Sequence, residues 1–238
     1  MEPREYELMD AAEERMWWYR ALHARIMRAL VPVTGAVLDV GCGTGGMLAR
    51  VRAARPDLRL TGLEWWEPAA LRAARKSAVP VVRGSANALP FADGRFAAAV
   101  LADVLCHEAV RPEQALSECA RVLAPNGRLI VNMPAFASLF SAHDRRVRNA
   151  RRQNARELKM MLTRAGFRDV RAHYWNGLLL PLMIAHRKIR GRHGDAPSDV
   201  AVFSPPVDAT LFAVTALERH LPFALPAGSS VLATAIRP

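Results

Sequence analysis

Long apolar runs, paired cysteines and a lysine beside its glycines are what this chain lacks. No apolar stretch reaches the roughly 20 residues that a membrane-spanning helix requires. The three cysteines, Cys42, Cys106 and Cys119, are odd in number and have no metal-ligand spacing. They argue against a disulfide framework and for reduced thiols. No carboxylate cluster has metal-ligand spacing either, so no metal is expected. There is no internal repeat or low-complexity segment, and the acidic amino-terminal stretch has no signal-peptide pattern, so a cytoplasmic protein is expected.

The 238 residues, 51% of them hydrophobic, suit one domain, 1–238, with a full core. The formal charge of +11 raises a nucleic-acid reading. The excess, however, is mostly arginine scattered through alanine-rich helices, and no RNA-binding module is visible, so no nucleic-acid partner is expected. The one dense run is Arg145 to Arg156, read as a solvated loop or as a contact for an acidic substrate or membrane surface.

The most informative stretch is Val37-Leu38-Asp39-Val40-Gly41-Cys42-Gly43-Thr44-Gly45-Gly46. It reads as a buried strand, a tight turn and then a helix from Met47 to Ala54. Glycine lets backbone turn sharply and lie close to a ligand, and free N–H groups at a helix start can face a polar or anionic group. A phosphate loop is excluded, because no Gly-Lys-Ser/Thr follows. A second strand, Leu58 to Leu63, ends at Glu64, about 20 residues on, where a carboxylate can accept from both ribose hydroxyls. Cys42 inside the turn reads as a small packing residue. Further strands follow at Val79–Arg83, Phe96–Leu101 and Arg128–Met133, a sixth at Phe167–Tyr174 and a seventh at Ser229–Ile236, antiparallel at the edge, with helices at Ala69–Ser77, Pro112–Leu123 and Asn154–Ala165. Alternating strands and helices specify an α/β fold with a parallel sheet.

The spacing Asp39-x-Gly41-x-Gly43-x-Gly45 resembles motif I of the class I S-adenosylmethionine (SAM) methyltransferases; a dinucleotide enzyme is the alternative. Gly84-Ser85-Ala86-Asn87-Ala88-Leu89-Pro90-Phe91 is similar to that family's adenine loop, with Ser85 where an Asp is usual. Leu123-Ala124-Pro125-Asn126-Gly127-Arg128-Leu129 matches its turn before strand five. Glu13-Glu14-x-x-Trp17-Trp18-Tyr19 and Ser138-Leu139-x-Ser141-x-His143-Asp144 resemble a bacterial subgroup of the type 11 kind, over Met1 to about Leu182. The resemblance implies a Rossmann-like, seven-stranded, mostly parallel sheet with helices on both faces and an antiparallel last strand. It implies SAM as cofactor, held by Asp39, Gly41, Cys42, Gly43, Gly45, Glu64, Trp65, Ser85, Ala86, Asn87 and Asp103. Residues 1–30, with an amphipathic helical segment over Leu8–Leu30, would form a lid, and 175–228 an insert covering substrate. In that insert an apolar run, Gly177–Ile184, precedes a basic one, His186–His193; Pro205-Pro206 reads as a stiff break and Asp208–Leu221 as a helix.

The expected function is methyl transfer to a small-molecule acceptor, with O-methylation favoured. The alternatives are methylation of a lipid or quinone precursor at a membrane surface, with peripheral contact, and a SAM-binding subunit without catalysis. A hydroxyl acceptor needs a proton taken from it. His143 after strand five and His107 after strand four are the candidate bases, with Asp144 orienting His143 or capping a helix. A monomer or homodimer fits equally.

Overall fold

The computed structural model describes residues 2–190, 200, 203–221 and 223–238. Helices α1 (Pro3–Ala12) and α2 (Trp17–Leu30) precede β1 (Ala36–Val40), α3 (Gly46–Ala54), β2 (Arg59–Glu64), α4 (Glu67–Ser77) and β3 (Val81–Arg83). Next come β4 (Phe96–Ala102), α5 (Pro112–Val122), β5 (Leu123–Pro134), α6 (Ala142–Arg146), α7 (Ala155–Arg164) and β6 (Arg168–Trp175). Helices α8 (Leu180–Arg190) and α9 (Pro205–Leu217) lead to β7 (Ser230–Ile236). Among the described residues no helix is long and apolar enough to cross a membrane.

The sheet has the order β3-β2-β1-β4-β5-β7-β6. Strands β1 to β5 are parallel, and β7 runs antiparallel to both its neighbours. Side chains alternate across a strand, and here both faces are buried. In β4, Ala99 and Leu101 join one core layer with Leu116 of α5 and Leu158 of α7. Ala98 and Val100 join the other, with Ile26 of α2 and Leu48 of α3. Burial on both faces is why these strands read as continuous apolar runs.

Four expectations are corrected. Strand β7 is antiparallel but not at the edge: Val231 and Ala233 fill one layer and Leu232 the other, so it must lie inside. Strand β6, with Arg168 and Asp169 exposed, is the edge, where charge also deters pairing with another chain. Extended backbone in β5 starts at Leu123, through the Pro125-Asn126-Gly127 turn, rather than at Arg128. The helical segment over Leu8–Leu30 is not continuous but falls in two helices, parted where Met16 turns extended. Pro205 and Pro206 open α9 rather than breaking the chain, because proline's fixed φ and missing N–H suit a helix's first turn. The end of the basic run His186–His193 lies outside the described residues.

The arginine-rich segment is in part internal scaffolding: Arg145, Arg148 and Arg156 are exposed, while Arg151 and Arg152 brace the chain. Arg151 Nη1 donates to the carbonyls of Leu105, His107 and Val110. Arg152 donates to Asp144 through Nε at 3.0 Å and Nη2 at 2.9 Å, and to the Ala135 carbonyl at 3.0 Å. The side chains of Arg152 and Asp144 are 4% and 0% exposed. Asp144 also accepts from Ser141 N and Oγ and from Asn149 Nδ2. Those bonds, with Arg152, hold its carboxyl below the usual range against the opposing effect of burial.

Removing one member of a buried pair leaves the other charge uncompensated. Arg152→Met and Asp144→Asn should each lower unfolding free energy by about 3–5 kcal/mol, read by denaturant titration at neutral pH. A carboxyl depressed in the folded state stabilises above its unfolded value, about 3.9, and that stability is lost as pH falls through the folded value. The gap between wild type and Asp144→Asn should therefore narrow below about pH 4. A gap that is constant down to acid unfolding would contradict the pairing.

Candidate active site

The parallel strands all end on one edge of the sheet, and a cavity of about 960 Å³ runs along that edge. One half lies over β1 to β4, where the glycine turn, Glu64 and the Gly84–Asn87 loop line it. The other half lies at Pro134, Asn176 and Ser229, at the ends of β5 and β6 and the start of β7, and reaches α2, α8 and α9 through Trp18, Leu182 and Leu211. This is where an open parallel sheet places ligands.

The turn after β1 has the left-handed backbone that glycine permits. Gly41, Gly43 and Gly45 have φ of 75°, 56° and 93°. A Cβ at Gly45 would lie 2.6 Å from Ala73 Cα, so this glycine seats α3 against α4 and stands back from the cavity. Gly41 and Gly43 do line it. The amides of Gly41 and Cys42 both donate to the Leu63 carbonyl, at 2.7 and 3.0 Å, so β2 fixes the turn. Cys42 is buried, with its thiol pushed well up by burial and by the fields of Asp39 and Glu64. It is a packing residue, not a nucleophile.

Glu64 stands at the end of β2 as anticipated. Its Oε2 accepts from Gly43 N at 3.0 Å, and its Oε1 from Trp66 N at 3.1 Å and from Tyr6 Oη at 3.2 Å. Tyr6 comes from α1, and its ring lies 4.5 Å from that of Trp66. Trp65, by contrast, is 70% exposed at the cavity wall. The start of α3 is not open to an anionic ligand, as the free N–H groups had implied. Glu13, between α1 and α2, fills it, because a Cβ on Gly46 would lie 2.4 Å from its carboxyl carbon. That carboxylate accepts from Thr44 Oγ1 at 2.7 Å and pairs with Lys76 at 2.5 Å. The Glu13 of the Glu-Glu-x-x-Trp-Trp-Tyr pattern is therefore an internal cap for the helix after the glycine turn. Tyr6 and Met9 were not singled out from sequence, which gave only residues 1–30 as a lid, and Glu13 appeared there only as part of a pattern with no role attached.

Asp39 is 2% exposed and has no hydrogen bond or ion pair among the described residues. Burial, with the fields of Glu64 and Glu13, pushes its carboxyl well above the usual range. Glu64 is raised too, chiefly by burial, against its hydrogen bonds from Trp66, Gly43, Tyr6 and Trp65. In the third-strand loop, Ser85 Oγ accepts from Asn87 N at 3.2 Å, while the Asn87 side chain donates to Ala109 O and accepts from Arg111 N. Ala86 packs into the core. The loop after β4 is thus tied to the loop after β3.

The candidate bases also line the cavity. His107 is lowered to about 4, mainly by burial and by nearby cations, and its Nδ1 accepts from Ala109 N at 3.3 Å. That bond puts the neutral ring's proton on Nε2. His143 sits in α6 rather than in an open loop, and Asp144 beside it closes a capping box with Ser141. Of the two roles weighed for Asp144, the described bonds are those of the cap and the Arg152 pair. Asp103, at φ 57°, borders the cavity where β4 ends. Its Oδ1 accepts from Asn132 Nδ2 at 2.9 Å, and Trp175 Nε1 donates to Asn132 Oδ1 at 2.9 Å. Burial raises its carboxyl to about 7, against the Asn132 bond and the charge of Arg152. Sequence reasoning missed Asn132 and Trp175, because a strand asparagine and a strand tryptophan carry no motif.

A family model described as a methyltransferase domain, of type 11, matches residues 38–131. An uncharacterized 37.1 kDa transposon protein of Streptomyces fradiae is 39% identical over 109 residues, 44% of this chain and 31% of that protein. A demethylmenaquinone methyltransferase of Thermus thermophilus is 32% identical over 129 residues, 52% of this chain and 56% of its own length. The chain thus spans about half or less of these relatives. A solved SAM-dependent methyltransferase of Thermotoga maritima, a possible histamine N-methyltransferase, superposes with a TM-score of 0.65 at 21% identity, over 99% of this chain and 96% of that one. Its likeness speaks for the fold, and the family match speaks for the segment that carries the glycine turn. Residues 38–131 thus match a methyltransferase domain, and the chain as a whole has the fold of that solved SAM-dependent methyltransferase.

Proposed function

We propose that this chain transfers a methyl group from SAM to a hydroxyl of a small-molecule acceptor. The carrying observation is Asp39, a buried carboxylate without a partner at a cavity it shares with Glu64. Buried charges require a partner, and two neighbouring carboxylates raise each other. A ligand with cationic groups and paired hydroxyls relieves both, and SAM has an ammonium, a sulfonium and a ribose. Asp39 and the glycine turn would hold the amino-acid end, and Glu64 the ribose. Ser85, Ala86 and Asn87 would line the adenine, with Trp65 at its side. Tyr6 and Met9, which border the cavity from α1, support a lid role for 1–30, and α8 and α9 are consistent with a substrate cover over 175–228.

SAM supplies a methyl group already activated on a positive sulfur. What remains for the protein is to place a nucleophile in line, to exclude water and to take the acceptor's proton. A hydroxyl is favoured because proton-accepting groups, His107, His143 and Asp103, gather around the cavity beyond the ends of β4 and β5.

A second reading, a lipid or quinone precursor taken from a membrane surface, rests on α8, α9 and the chain beyond them. Leu182 and Val207 line the cavity and are 60% and 45% exposed, and Leu178 and Phe223 are exposed too, at 43% and 62%. Sedimentation with phosphatidylglycerol vesicles tests it, and no co-sedimentation at physiological salt would remove it.

For the first reading, calorimetry should show S-adenosylhomocysteine binding to wild type. Gly43→Val should abolish it by filling the cavity beside Met9, and Glu64→Ala should weaken it by about 1–3 kcal/mol. Undiminished binding in both variants would reject the assigned pocket.

A further inference from the structure

We infer that Asp103 is the general base of this site, with Oδ2 receiving the proton of the acceptor's hydroxyl. The inference rests on the methyl-transfer reading above and gives a catalytic role to a residue that the family pattern places only at the cofactor. The acceptor's O–H bond breaks, its proton goes to Asp103, and the electron pair left on oxygen forms the bond to the methyl group. The pair of the breaking carbon–sulfur bond stays on sulfur.

Asp103 is held at three points and open at one. Its N–H donates to the Asn132 carbonyl at 3.0 Å, its carbonyl accepts from the Cys106 thiol at 3.1 Å, and its Oδ1 accepts from Asn132 Nδ2. The Asn132 amide has one orientation available. An indole N–H can only donate, so Trp175 claims Oδ1 and turns the NH₂ toward Asp103. Asn132 and Trp175 are each 1% exposed, which makes this a rigid support on β5 and β6. Oδ2 has no partner among the described residues, and Asp103 borders the cavity. The left-handed backbone is a local strain of the kind retained at functional sites. Asp144 is saturated by five donors and His107 has its Nδ1 occupied, so neither matches this arrangement.

The charged and titratable groups around Asp103 come from several elements. Arg152 lowers its carboxyl and Asp144 raises it; Tyr19 on α2 and Cys106 in its own loop feel its charge. Burial outweighs Arg152, so the group ionises near the pH at which a base is most effective.

The test compares full-length wild type with Asp103→Asn, which tolerates left-handed backbone, and with Asp103→Gly as the second variant. Calorimetry with S-adenosylhomocysteine should agree within about twofold among the three. Radiolabelled methyl transfer to a series of para-substituted phenols should be about 10²-fold or more slower in Asp103→Asn. The rising limb of wild-type kcat/KM near pH 7 should vanish in that variant, and formate should restore part of the turnover of Asp103→Gly. An independent readout is thermal. A carboxyl raised in the folded state stabilises below its unfolded value, and that stability is lost as pH rises through 7. The Tm of wild type should therefore fall relative to Asp103→Asn between pH 5 and 8. Loss of cofactor affinity with the limb intact makes Asp103 a cofactor ligand and overturns the inference. A limb removed by His143→Ala but kept by Asp103→Asn transfers the role to His143. If wild type binds S-adenosylhomocysteine yet methylates no phenol, the hydroxyl reading and this base fall together while the cofactor pocket stands. Absence of cofactor binding instead fails the methyl-transfer reading itself.

Discussion

Three segments far apart in the chain meet on one carboxylate, that of Glu64. The glycine turn donates through Gly43 N, the start of α4 through Trp66 N, and α1 through Tyr6 Oη. A carboxylate is the right group for this, because its two oxygens accept several bonds at once. β2 carries it, and the Leu63 carbonyl one residue earlier takes the amides of Gly41 and Cys42. The end of one parallel strand thus sets the course of the turn after its neighbour. Glu13 repeats the device one helix turn away, joining α1–α2 to Thr44 and Lys76. The covering helices are therefore fastened to the cofactor half of the sheet by polar contacts with the motif itself, and their position depends on the residues that would also meet the ligand.

The cost of that arrangement is a concentration of buried negative charge. Burial raises Asp39, Glu64 and Glu13, and the charges of Glu64 and Glu13 raise Asp39 further; among the described residues, only Glu13 of the three has a cation, Lys76, against it. A net charge of +11 does not help, because the arginines act elsewhere. Arg151 and Arg152 brace the loop after β4 and the segment after β5. Arg25 pairs with Glu218 at 3.0 Å and lies 4.6 Å over the Trp175 ring, so it joins α2 to the end of β6. Some of the basic composition is internal bracing, and the carboxylates left without a cation would favour a cationic ligand in the cavity.

The sheet was legible in the sequence because apolar alternation and glycine spacing are local signals. Strands β1 to β4 lie within two residues of their expected bounds, and Asn154 caps α7 where the sequence placed its start, with its side chain accepting from Glu157 N. The place of β7 was not legible, because edge and interior differ only in which face each side chain meets, and that depends on what α5 and α7 bring. The division of Leu8–Leu30 into two helices was hidden for a similar reason. The break serves Glu13, whose partners Thr44 and Lys76 lie 31 and 63 residues away. At the site, every residue carried by motif stands at the cavity except Gly45, which packs against Ala73. What the motif left out is the support: Tyr6, Asn132, Trp175 and Arg152 act through contacts that no short pattern encodes.

The two halves of the cavity also differ in how much the fold commits them. Over β1 to β4 the backbone itself defines the space, through left-handed glycines and amides that β2 fixes. Over β5 to β7 the floor is polar and rigid, with Asn132, Asn176 and Ser229 buried, but the roof is side chains from α2, α8 and α9. That roof hangs on few polar anchors: Asp208 accepts from Trp17 N at 2.6 Å and from Arg20 at 3.0 Å, and Glu218 from Asn176 N at 2.7 Å and Leu178 N at 2.9 Å. A backbone-defined half suits one constant ligand. A half roofed by aliphatic and aromatic side chains can change its lining without disturbing the sheet, which is where acceptor preference would be written. The anchors at Asp208 and Glu218 keep that variable roof registered on the fixed floor, so a proton-accepting group at the end of β4 would meet whatever acceptor the roof admits.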